Sequence, residues 1–123
     1  MKRKILLNGI IFFMMILLLS CSSSGPRQDG SAEYPFLIYH LNDLDAIGDG
    51  YYNWGLDKHY RLENQIDLNE NWEPIGSPDN PFQGFIHGNG NQISGNVTKP
   101  DQDYVGVFGY IGEEGRIYDV TLN

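Results

Sequence analysis

The chain has 123 residues, with 8 Lys+Arg against 16 Asp+Glu and a formal net charge of −8. So acidic a surface repels phosphate backbones, which argues against nucleic acid as a partner. A single cysteine excludes an internal disulfide framework, so packing must hold the fold.

Lys2, Arg3 and Lys4 open the chain, and an apolar run follows over 5–19, interrupted only by Asn8 and Gly9. The run is shorter than the roughly 20 residues of a spanning helix and has the charge-then-apolar order of an export signal. It closes on Leu18-Leu19-Ser20-Cys21, which resembles the bacterial lipobox. That resemblance implies cleavage before Cys21, acyl chains on that cysteine, and a lipid-anchored protein whose first partner is the membrane. Ser22 stands where an Asp would resemble an inner-membrane retention signal, which favours the outer membrane or cell surface. Loss of residues 1–20 removes three cations and no acid, taking the net charge to −11. Residues 21–33 are poor in apolar side chains and read as a flexible tether. Residues 34–123 are then one small domain.

Within that domain, 34–39 reads as a short strand, and Asn42 is placed to cap a brief helix over 43–47. Leu44 and Ile47 give that helix one apolar side, and Gly48-Asp49-Gly50 ends it. Strand-like runs follow at 60–62, 65–68, 82–86, 92–97, 105–111 and 117–122. Their alternation puts apolar residues on one face and polar residues on the other. Pro78-Asp79-Asn80-Pro81, Gly88-Asn89-Gly90-Asn91 and Gly112-Glu113-Glu114-Gly115 supply turns between them. Phe85 and Phe108 lie 23 residues apart, and Ile93 and Ile117 lie 24 apart. This recurrence fits the coil of a parallel β-solenoid, while short strands at such spacing also fit an antiparallel sandwich or barrel.

Five runs in register carry a resemblance. They are Tyr60 to Leu68, Trp72-Glu73-Pro74-Ile75-Gly76, Phe82 to Gly95, Val105 to Ile111, and the closing Ile117-Tyr118-Asp119-Val120-Thr121-Leu122. Together they resemble the GLUG-motif family of bacterial surface proteins, which includes immunoglobulin A peptidases and adhesins. Gly106-Val107-Phe108-Gly109 matches the naming run with Val in the Leu place, and His87 stands where the family usually has Asp. The resemblance implies an all-β fold, a short right-handed parallel β-helix with one short N-terminal helix. Asn123 falls one strand into a new coil, so the helix is expected to be incomplete, with an open edge.

Three clusters invite chemistry. Asp43, Asp45 and Asp49 suggest calcium, yet counting from Asp43 puts Ile47 and Gly48 at the fifth and sixth loop positions, so the EF-hand pattern fails. Tyr51, Tyr52 and Trp54 form an aromatic loop that can stack on sugars or anchor a partner, or else plug the end of the domain. They are the candidate ligand-binding residues. His87 with Asp67, Asp101 and Asp103 is weighed as acid–base machinery against a plain surface histidine, and the second reading is preferred. Trp72, beside Pro74, reads as core. No zinc HExxH, nucleophile elbow or phosphate loop is present, and nothing implies a cofactor or a metal.

The reading is a non-catalytic envelope lipoprotein displaying its domain for binding or adhesion. Its partners beyond the membrane are a host glycan or protein, or another solenoid chain at the C-terminal edge. The alternatives are a polysaccharide lyase or glycosidase, and the N-terminal part of a larger surface protein or peptidase.

Overall fold

The structure is a computed structural model, and it describes Gly25 and residues 27–50, 52–95 and 106–123. Cys21 lies outside the described residues, as do Tyr51, Asp101 and Asp103. Among the described residues no helix is long and apolar enough to cross a membrane.

The elements in chain order are β1 (Phe36–Ile38), α1 (Leu41–Asp45), β2 (His59–Leu62), β3 (Ile66–Asp67), β4 (Phe85–His87), β5 (Gln92–Ser94), β6 (Arg116–Tyr118) and β7 (Thr121–Leu122). They form a four-stranded sheet in the order β1-β2-β4-β6 and a three-stranded sheet in the order β3-β5-β7. All pairings are parallel. Register stacks like on like: Phe36 beside Tyr60, Ile38 beside Leu62, Ile86 between Tyr60 and Ile117, and Ile66 beside Ile93. These inward positions fill the space between the sheets. Trp72, Ile75 and Phe82 close it from the segment between the sheets, and Leu44 and Ile47 from the helix side. Each such side chain contributes roughly 1.5–3 kcal/mol of burial. Trp72 donates its indole N–H to the Gly106 carbonyl at 3.2 Å, and the Tyr60 hydroxyl donates to the Gly55 carbonyl at 2.7 Å.

This arrangement corrects the β-helix expected from the recurrence and the GLUG-like runs. The strands gather into two separate parallel sheets with one short helix, and the described residues close no solenoid or barrel. The cause is local. Pro74, Pro78 and Pro81 carry no N–H, and Gly76 turns the chain at φ +84°. Ile75 and Phe82 therefore meet Phe108 and Ile111 only through isolated parallel bridges, where 82–86 and 105–111 were expected as longer strands.

The helix also differs from expectation. It occupies Leu41–Asp45 with His40 as its N-cap, one turn that starts two residues earlier than expected. Asp43 decides this. Its carboxylate accepts the backbone N–H groups of Tyr39 at 2.9 Å and His40 at 3.0 Å, tying the helix start to the end of β1. Contact with the domain begins well upstream of residue 34: the Gln28 side-chain oxygen accepts the Leu37 N–H at 2.9 Å, and Gly30 accepts the His59 N–H at 2.9 Å.

Candidate aromatic cleft

The loop after α1 is shaped by backbone that few residues adopt. Gly48 and Gly50 have φ +86° and +83°, and Tyr52 and Asn53 follow at +70° and +61°. The Gly48 N–H donates to the Trp54 carbonyl at 2.6 Å, and the Gly55 N–H to Asn53 at 2.9 Å, closing the loop on itself. For Tyr52, a bulky residue, the left-handed conformation is costly, and such strain collects at binding loops.

Two aromatic roles emerge from this geometry. Trp54 is half-buried, stacked on Phe36 with ring centroids 5.1 Å apart at 21° and set edge-on to Tyr60 at 5.6 Å. It therefore packs against the core cluster. Tyr52 is 76% exposed. Between them lies a cleft of about 540 Å³ whose walls include Gln28, Phe36, Asn42, Asp43 and Ala46. Gln28 and Asp43 are fixed by the hydrogen bonds already described, so the polar rim is preorganised. An apolar floor of ring faces under a rim of amide and carboxylate groups suits a ligand with an apolar face and a hydroxylated edge. The charge of Asp43 disfavours an anion there. Burial, with the charges of Asp57 and Asp49, pushes the Tyr60 phenol well above its ordinary value and keeps it a proton donor beneath Trp54.

Gln28 and Phe36 were not among the residues singled out from sequence. Gln28 sits in the stretch read as tether, and only its bond to Leu37 brings it to the cleft.

The other clusters disperse. His87 lies on β4, half-exposed, accepting the Asn89 N–H through Nδ1 at 2.8 Å and standing 3.9 Å from the Asp119 carboxylate. Asp67 lies on β3 in the other sheet, bound by the Ser94 hydroxyl at 2.5 Å and by Gln65 at 3.2 Å. The two do not meet. Asp45 and Asp49 line a second cleft of about 310 Å³ with Glu73, and no group of three His, Cys, Asp or Glu among the described residues is placed to hold a metal ion.

Comparison with known proteins places two relatives beside this chain. A protein of Evansella cellulosilytica, provisionally named a Gly-rich membrane protein, is 37% identical over 106 residues, 76% of this chain and 12% of that protein. Halomucin of Haloquadratum walsbyi is 32% identical over 108 residues, again 76% of this chain but 1% of its own length. The chain thus spans only a small part of the curated relatives it matches. No family model and no solved structure matches the chain.

Proposed function

We propose that this chain is a membrane-associated envelope protein, held by lipid on Cys21, whose two-sheet domain is a binding module rather than an enzyme. The observation that carries the reading is the cleft: a fixed Trp54 floor, an exposed Tyr52 on a strained loop and a preorganised polar rim. A neutral sugar ring fits this chemistry, with its C–H face on the aromatic floor and hydroxyls toward Gln28 and Asn42. The envelope setting is supported by the lipobox-like Leu18-Leu19-Ser20-Cys21 and by a relative named for a membrane location. Kinship with the GLUG-motif surface proteins belongs to the same reading and rests on the runs between Tyr60 and Leu122.

Calorimetric titration of the full chain in detergent with neutral oligosaccharides (cellohexaose and chitohexaose) tests the proposal. Binding is expected, weakened about two- to tenfold in Tyr52→Ala, the worth of one aromatic contact. Absence of heat with both sugars, or equal binding by the variant, would overturn it.

A further inference from the structure

The four-stranded sheet has an outward face that the cleft does not use. Strand alternation and parallel register fix its composition. The outward positions of β2, β4 and β6 are His59 and Arg61, Phe85 and His87, Arg116 and Tyr118. They align as two rungs, His59–Phe85–Arg116 and Arg61–His87–Tyr118. Within the first rung His59 lies flat on Phe85, ring centroids 4.3 Å apart at 2°. Within the second His87 leans on Tyr118 at 4.7 Å. The side chains of Arg61 and His87 are 43% and 39% exposed, and Tyr118 is 48% exposed.

None of these six positions is acidic, in a chain with twice as many acids as cations. Among the described residues Arg116 has no carboxylate partner: its Nη1 donates to the Glu113 and Gly115 carbonyls at 2.7 and 2.8 Å, which orient the guanidinium. Arg61 differs, because its Nε donates to the Glu63 carboxylate at 2.6 Å. Asp119 and Glu63 border the second rung and Glu113 and Glu114 precede Arg116 in its turn, so what sets Arg116 apart is that no carboxylate among the described residues pairs with it.

We propose that this face docks an acidic polysaccharide, a second surface separate from the cleft beside β1. Arg61 and Arg116 stand two strands and one rung apart, roughly 12 Å on the diagonal at the spacings of a sheet, with aromatic rings between them. That spacing suits anionic groups repeated along a polymer. The exposed ring of Tyr118, with the half-buried stack of His59 on Phe85 beside it, suits the apolar faces of sugar rings lying between the charges. A single-stranded nucleic acid is the competing polyanion, and the oligothymidylate probe separates it from the polysaccharide. An acidic peptide is disfavoured because the surface is a sheet face and offers no backbone groups for strand addition.

The test uses the full chain in detergent micelles with four probes: polygalacturonate, dextran sulfate, uncharged dextran and single-stranded oligothymidylate. Binding to polygalacturonate, dextran sulfate or both is expected, weakening as salt is raised, and the stronger of the two shows whether carboxylate or sulfate is preferred. Arg116→Gln and Tyr118→Ala, both at exposed positions of β6, should each weaken that binding about three- to tenfold, while Tyr52→Ala leaves it unchanged. Dextran bound as tightly as either anionic polymer, oligothymidylate bound more tightly than both, no binding to either anionic polymer, or unchanged binding in both variants would overturn the proposal. If a variant loses its near-ultraviolet circular dichroism, the salt dependence of the wild-type protein and the dextran comparison decide. Loss of neutral-sugar binding in Tyr52→Ala reports on the cleft alone, so the two readings fail independently.

Discussion

Asp67 and Ser94 face each other across the pair β3–β5, and their contact is the shortest side-chain hydrogen bond described in the domain at 2.5 Å. The Ser94 hydroxyl, and after it the Gln65 amide, holds the Asp67 carboxyl below its ordinary value of 3.8. The charged form is favoured in the folded state, so this contribution is complete above the unfolded value and disappears as pH falls through the lower folded one. Ser94→Ala should therefore raise the Asp67 titration midpoint toward 3.8, as read by carboxyl-carbon NMR; an unchanged midpoint would show that the hydroxyl does not set it. Gly84 is required for a different reason. A Cβ there would run into the Lys58 carbonyl oxygen, at the point where Phe85 donates to that same carbonyl to begin the β2–β4 ladder.

The elements are short, at most five residues, and none is stable by propensity alone. Their order comes from stacked inward side chains, with Phe82 at the centre: fully buried, its ring 6.5 Å from Tyr60 and 5.6 Å from Phe108. Phe82→Ala should cost about 3–5 kcal/mol in chemical denaturation, enough to unfold a marginal domain. A loss under 1 kcal/mol would mean that the segment between the sheets is not part of the core. At this scale the sequence was readable where alternation was clean. Tyr60 and Leu62, Ile66, Ile86 and Ile93 all point inward as their period-two spacing indicates. It was less readable where a single side chain decides the outcome. Asp43 moves the helix start by bonding two upstream N–H groups, and no local pattern at Asn42 reveals that. The recurrence of 23–24 residues misled the fold assignment because spacing records where strands recur, whereas prolines and Gly76 limit the segment between the sheets to isolated bridges.

Across the whole molecule, the acidic balance, the lipobox-like run before Cys21 and the aromatic loop are separate features that sequence alone could name. It could not join them into sites. The cleft needs Gln28, Phe36, Tyr52 and Trp54, which come from three stretches brought together by the Gln28–Leu37 bond and the Phe36–Trp54 stack. The outward rungs of the larger sheet need inter-strand register, which no run within one strand contains. The anchor has its own check: radiolabelled palmitate should enter the wild-type chain and not Cys21→Ser, and label retained by the variant would place the lipid elsewhere. The binding role of the cleft is tested most directly by tryptophan fluorescence. Trp72 is buried and Trp54 is the only other tryptophan, so a ligand in the cleft must report through Trp54. Titration of the full chain with a neutral oligosaccharide is predicted to shift its emission saturably, with the shift lost in Trp54→Phe and the midpoint raised about two- to tenfold in Tyr52→Ala. No saturable shift, or a shift that survives Trp54→Phe, would contradict the account.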